Sequence, residues 1–252
     1  MQYKYAREQP DYSDFSSGRV FYSLPGYPAF PIRLASEIFQ RCVAHRAAIY
    51  NHATRCTLYD PCCGAAYHLS VLGYLHGEHI REIIASDIDE KAVALAKRNL
   101  GLLHSEGLNI RISELSAMLG QYGKEAHREA LQSASALKER LSALTENHSL
   151  KTNVFQANAM DRQAISAHIQ PGSVDIVFTD VPYGRHSQWH DTDLDAPPNP
   201  LKSMLDVLQD IVSASSILAI VSDKQQKVSH ASYQRIEQFQ VGKRRVVLLR
   251  PV

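Results

Sequence analysis

The chain has 252 residues, 44% hydrophobic and 21% charged, with a formal net charge of +1. This is ordinary globular composition, enough for one large domain or two small ones. No apolar run approaches a membrane span, and the polar stretch Met1 to Pro10 does not read as a signal peptide, so a cytoplasmic, membrane-free protein is expected. With so little net charge, a nucleic-acid partner would have to meet a local basic patch. The cysteines Cys42, Cys56, Cys62 and Cys63 match neither a disulfide framework nor a zinc site, and no metal is expected.

Residues 1–30 are rich in Tyr, Ser, Pro and Gly and read as extended, with a turn at Pro25-Gly26-Tyr27-Pro28. Leu34, Ile38 and Cys42, with Ala35, Phe39 and Val43, fall at helical spacing and predict a helix over 31–49. Residues 1–50 thus form an N-terminal extension and helix, within a single domain spanning 1–252. A β–α–β unit follows: a strand over 55–60, a helix from Tyr67 to Leu75 after the Gly64 turn, and a strand from Ile83 to Ser86 ending in Asp87. Asp89 caps a helix over 90–104.

Residues 113–148 are Ala/Leu/Glu/Lys-rich without a strand-like run, and read as a helical insertion with a turn near Gly120 and Gly123. A third strand at Val154 and Phe155 ends at Asn158, and a short helix runs from Arg162 to His168. A fourth strand, Val174 to Thr179, ends at Asp180. A long loop over 184–200 precedes a helix from Leu201 to Ser213, a strand from Ile217 to Ser222, and a closing antiparallel pair about Gly242. The alternation predicts an α/β fold with a doubly wound, mostly parallel sheet.

Two stretches carry the chemistry. Asp60-Pro-Cys-Cys-Gly64 closes the first strand with an acid and a tight turn. It lacks the glycine spacing of dinucleotide folds and the Lys-Ser/Thr of a phosphate loop. An acid at Asp60 suits a cationic group, Asp87 suits two ribose hydroxyls, and Asn158 suits an adenine edge. S-adenosylmethionine has those three parts.

The second stretch, Thr179-Asp-Val-Pro-Tyr-Gly184, resembles the (Asp/Asn)-Pro-Pro-(Tyr/Phe) motif of methyltransferases that modify base nitrogens. Asp180 can accept a hydrogen bond from the target N–H, Pro182 fixes the turn, and Tyr183 offers a face for a planar base. Candidate RNA contacts are Arg19, Arg185, His186, Trp189, Lys224, Lys227, Lys243, Arg244 and Arg245.

The order of these motifs resembles a class I S-adenosylmethionine-dependent methyltransferase. With the stretch from Pro25 through Arg41 and the layout around it, the chain resembles the avilamycin-resistance 23S ribosomal RNA guanine methyltransferases over nearly its whole length. The resemblance implies a seven-stranded Rossmann-like sheet with a final antiparallel hairpin. It implies a 23S ribosomal RNA or large-subunit substrate, methylation at guanine N1, an antibiotic-resistance outcome and a monomer. It implies that Asp60, Cys62 and Gly64 line the methionine end of the cofactor, that Asp87 holds the ribose, and that Asn158 faces the adenine. It also implies that Phe30, Pro31 and Arg33 lie beside the cofactor, with Arg33 meeting its carboxylate, and Asp180 is expected to border the cofactor as well as the base.

Two departures stand out. Ala65-Ala66 replaces the usual Ser-Gly of the glycine loop, and Asn158 replaces a common acid. An adenine-N6 or guanine-N2 nucleic-acid methyltransferase, and an RNA-binding protein of the same fold with impaired catalysis, remain alternatives.

Overall fold

The structure is a computed structural model that describes residues 3–50, 54–145, 149–181 and 199–252. Seven strands form one sheet: β1 (Cys56–Asp60), β2 (Ile80–Asp87), β3 (Lys151–Gln156), β4 (Val174–Asp180), β5 (Val212–Asp223), β6 (Tyr233–Val241) and β7 (Arg244–Pro251). Their order is β3-β2-β1-β4-β5-β7-β6. The first five are parallel, and β7 runs antiparallel between β5 and β6. The expected doubly wound sheet with a terminal hairpin is therefore present.

Strand side chains alternate between two cores. Leu58, Ile176, Ala219 and Val246 face one core, and their neighbours Tyr59, Val177, Leu218 and Val247 face the other. The first core is covered by α1 (Ile32–Tyr50), α2 (Tyr67–His76), α3 (Glu90–Gly101), α4 (Ser105–Tyr122) and α5 (Glu125–Thr145). The second is covered by α6 (Arg162–Ser166) and α7 (Pro200–Ile211). Both faces are sealed, which is why the central strands read as continuous apolar runs.

The insertion differs from its expected outline. The helix expected over 90–104 ends at Gly101, and a new helix begins at Ser105. The insertion is thus a pair of helices, and Gly123, at φ 60°, turns the chain between them. Contacts of Lys138 with Asn109 and of His127 with Met118 show that the two run antiparallel. Leu108, Leu115, Ala134, Leu137 and Leu141 are buried against the first core, so the hairpin packs on the sheet domain.

The N-terminal segment is tied to α1 by one buried acid. Both carboxylate oxygens of Glu37 are used: the main-chain N–H groups of Lys4, Tyr5 and Ala6 donate to them, each at 2.8 Å. Arg41 completes the cluster from one turn further along the helix. At the opposite end of the sheet from the strand tips, Asp175 accepts from Arg46 at 2.6 Å and from the Thr57 N–H at 2.8 Å. That explains the acid interrupting the fourth apolar run.

Candidate active site

The site begins with strand order. The tips of β3, β2, β1 and β4 lie side by side, so Asn158, Asp87, Asp60 and Asp180 are arrayed in that sequence along one edge. β1 and β4 are direct neighbours, with Leu58 opposite Ile176 and Tyr59 opposite Val177. The sheet's connections reverse direction between these two strands, the place where open α/β sheets bind ligands.

After β1 the chain folds into a tight loop. The Cys62 N–H donates to Asp60 Oδ1 at 2.9 Å, the Cys63 N–H donates to the Ser86 carbonyl at 2.9 Å, and the Gly64 N–H donates to Asp87 Oδ2 at 2.8 Å. The loop is thereby pinned to the tip of β2. Gly64 (φ 51°) and Ala66 (φ 50°) both lie in the left-handed region, and Ala66 is the one non-glycine residue there among the described residues. Alanine at that position does not unmake the turn: the Ala66 N–H donates to the Cys63 carbonyl at 2.8 Å, and the Ala66 carbonyl accepts from the Ser70 N–H.

Asp87 accepts a second bond, from the Asp89 N–H at 3.0 Å. Burial raises its carboxyl above the usual value, against the pull of these main-chain donors. Asp89 caps α3 by accepting from the Lys91 N–H, and also accepts from the Tyr27 hydroxyl. Tyr27 thus crosses the glycine loop; a Cβ on Gly64 would sit 3.8 Å from its ring. Asn158 sits half-buried after β3, its amide oxygen accepting from the Met160 N–H at 3.0 Å. That oxygen keeps a second lone pair for another donor.

Asp60 is fully buried. Burial pushes its carboxyl up to about 8, opposed by the Thr179 hydroxyl and the Cys62 N–H and reinforced by Asp87 and Asp180. Burial likewise holds the Cys62 and Cys63 thiols well above their ordinary value. Arg244 of β7 reaches toward the β4 tip, its Nε 3.7 Å from Asp180 Oδ2 and its guanidinium 5.1 Å from the centre of the Phe30 ring. Phe30 closes the same space, edge-on to Phe178 at 5.6 Å and near His68 at 5.7 Å.

Arg33 stands elsewhere. Its guanidinium donates to the carbonyls of Ala6 and Arg7 and to Gln9, and lies over the Tyr3 ring at 4.1 Å, so it is engaged with the N-terminal segment. Arg19 is held by Glu129 and Ser133 of α5. Lys224 and Lys227 are exposed beyond the end of β5. Lys243, Arg244 and Arg245 lie at the β6–β7 turn, and the register Asp180–Val221–Val246 brings that turn beside the β4 tip. Pro182, Tyr183, Arg185, His186 and Trp189 lie outside the described residues.

Sequence reasoning missed His68 and Tyr27, and assigned Arg244 to RNA alone. His68 carried a signal: it is the one histidine in the buried first two turns of α2. Tyr27 was hidden inside a stretch that reads simply as a turn.

Among the described residues no helix is long and apolar enough to cross a membrane. The chain matches the family model described as rRNA methyltransferase AviRa over residues 1–244. It is 39% identical over 248 residues to the 23S rRNA (guanine(2535)-N(1))-methyltransferase of Streptomyces viridochromogenes, covering 98% of this chain and 95% of that protein. It is similar to the 1.5 Å structure of the rRNA methyltransferase aviRa from the same organism, with a TM-score of 0.86 and 37% identity over 99% of this chain and 96% of the other. TrmN from Thermus thermophilus, at 13% identity and TM-score 0.50 over 89% of this chain and 50% of its own, shares the fold alone. By the match over nearly its full length, this chain belongs to the AviRa rRNA methyltransferase family.

Proposed function

We infer that this chain is an S-adenosylmethionine-dependent methyltransferase that modifies N1 of a guanine in 23S ribosomal RNA. The observation that carries this reading is the adjacency of the β1 and β4 tips, where Asp60 and Asp180 end neighbouring strands on one edge of the sheet. The donor set fits the cofactor. Asp60 Oδ2 is buried, makes no hydrogen bond among the described residues and has the His68 imidazole 3.3 Å away, so the fold leaves this acid untied by any strong donor and able to meet a cation. The loop from Cys62 to Gly64 offers close backbone approach, and the carboxylate of Asp87 stands one strand over for two hydroxyls.

When bound, the cofactor supplies an electrophilic methyl group on a sulfonium sulfur. The protein's share of the chemistry is positioning. Guanine N1 bears a hydrogen, and methylation there forms an N–C bond, breaks the C–S bond and releases that N1 proton. Asp180 is the group placed to hold the N–H and receive its proton. Phe30 and Phe178 wall the space and exclude water. Arg244 balances the Asp180 carboxylate, and with Lys224, Lys227, Lys243 and Arg245 it supplies the local basic fringe that a chain of net charge +1 needs to meet phosphates.

The test uses labelled cofactor with 23S ribosomal RNA, large ribosomal subunits and duplex DNA, followed by nucleoside analysis. N1-methylguanosine from ribosomal RNA is the expected product. Label in N6-methyladenosine or N2-methylguanosine would move the assignment to those alternatives, and cofactor binding without any transfer would make the chain a non-catalytic RNA binder.

A further inference from the structure

Beneath the strand tips lies a pair that the reading above does not use. His68 Nε2 is 3.3 Å from Asp60 Oδ2, and neither atom has a hydrogen-bond partner among the described residues. His68 is buried, its ring tilted against Phe178 at 4.8 Å and against Phe30 at 5.7 Å. We propose that Asp60 and His68 share a single proton in the unliganded protein, and that an ammonium group seating against Asp60 expels that proton to solvent. The inference rests on the S-adenosyl reading of the site. It adds His68 as a positioning residue and makes cofactor binding proton-linked.

The surroundings decide where the proton sits. From β2 and β4, Asp87 and Asp180 present negative charge to Asp60; from the loop, Cys62 and Cys63 present neutral thiols; Thr179 adds a hydroxyl. The nearby cation, Arg244 of β7, is directed at Asp180. Among the described residues, three carboxyl groups at adjacent tips with one such cation favour keeping one of them neutral, and Asp60 is the most buried. The imidazole answers from α2. Burial takes His68 down to about 4, opposed by the Phe178 main chain, so the ring is neutral at pH 7 with its one N–H assigned to Nδ1. That leaves Nε2 as an acceptor pointing at Asp60, so a protonated carboxyl completes the pair, whereas a carboxylate would set lone pair against lone pair.

An ammonium changes the balance. Beside it the carboxylate form of Asp60 is favoured, and a second cation on the ring between Phe30 and Phe178 is not. The O–H bond of Asp60 therefore breaks, its electrons stay on the carboxylate, and the proton leaves to the buffer.

Calorimetry in buffers of differing ionisation enthalpy at pH 7 tests this. S-adenosylhomocysteine carries the ammonium; 5′-methylthioadenosine lacks it. The expected result is release of about one proton with the first ligand and none with the second, and affinity for the first that rises toward pH 8. His68→Phe, which fills the same space without Nε2, should move the midpoint of that pH dependence down by about one unit. Asp60→Asn keeps the side chain's size and should abolish the release, which preserves the test if His68→Phe does not fold.

Equal proton counts for both ligands, or none for either while both bind, would overturn the proposal. So would a midpoint unmoved in His68→Phe. Failure of both ligands to bind would instead remove the S-adenosyl site, and the proposal with it.

Discussion

The main-chain N–H of Gly64 donates to Asp87 Oδ2, so the acid at the tip of β2 also fastens the loop that follows β1. With the ribose-holding role proposed for it, Asp87 would have two duties, and removing it exposes both. Asp87→Ala should weaken S-adenosylhomocysteine binding by roughly ten- to a hundredfold, the effect of losing charge-assisted hydrogen bonds worth about 1.5–3 kcal/mol. It should also lower the melting temperature, because the Gly64 N–H loses its acceptor. Calorimetry and thermal unfolding check the two effects separately; unchanged affinity would take Asp87 out of the ribose site.

Asp180 ends β4, on the other side of β1 from Asp87, and its proposed role is to hold the acceptor base. Asp180→Ala should reduce methyl transfer to 23S ribosomal RNA at least about 100-fold, the range for a lost general base. Affinity for S-adenosylhomocysteine should stay within about threefold, since Asp60 and Asp87 remain. Single-turnover transfer and equilibrium binding measure the two quantities. A variant with normal turnover, or one that loses both together, would contradict the assigned role.

Much of the placement of these acids is legible in the sequence. Each acid stands at the end of an apolar run, and a run of that kind in an alternating α/β chain delivers its last residue to one edge of a sheet. Asp60, Asp87, Asn158 and Asp180 could be ordered that way because side chains at strand ends follow from local pattern and topology. The closing hairpin was legible from Gly242 between two β-rich runs. What escaped was side-chain contact between elements distant in sequence. Nothing near Glu37 says that its carboxylate collects three N–H groups from residues 4–6. Nothing near Arg33 says that the same segment occupies its guanidinium. The start of the insertion was missed because Leu102 to His104 keep helical spacing while the backbone breaks there, a competition that local pattern does not resolve.

Ala66 raises a question of magnitude. Its left-handed backbone costs an alanine about 1–2 kcal/mol. Glycine would relieve that, yet it adds about 0.4–1 kcal/mol of unfolded-chain entropy and deletes a buried methyl worth about 0.8 kcal/mol. Ala66 is fully buried, so the methyl term applies in full. The terms nearly cancel, and Ala66→Gly should shift the melting temperature by no more than about 3 °C in either direction. With the loop bonds of Cys63, Gly64 and Ala66 already formed, S-adenosylhomocysteine affinity should change less than about threefold. A tenfold gain on introducing glycine would show that the alanine distorts the cradle.

Glu37 is a prediction about acid. Burial alone would raise its carboxyl, but the N–H groups of Lys4, Ala6 and Tyr5 and the Arg41 guanidinium outweigh it, and the group lies below its usual value. A carboxyl lowered on folding contributes stability that is present in full above its unfolded value and is lost as pH falls through its folded one. The N-terminal segment should therefore stay docked at pH 7 and loosen only below about pH 4.5, the ordinary value for a glutamate. Glu37→Gln should cost roughly 3 kcal/mol at pH 7, the low end for breaking a buried pair, because Arg41 keeps Glu237 as a second partner. That corresponds to a drop of about 6–12 °C in melting temperature. The deficit should shrink only as the pH is lowered below about 4.5 and the wild-type carboxyl takes up its own proton. Hydrogen exchange at the amides of residues 4–6 gives the local readout. Exchange of those amides as slow in Glu37→Gln as in the wild type at pH 7 would show that the segment is held by Arg33 and its packing instead.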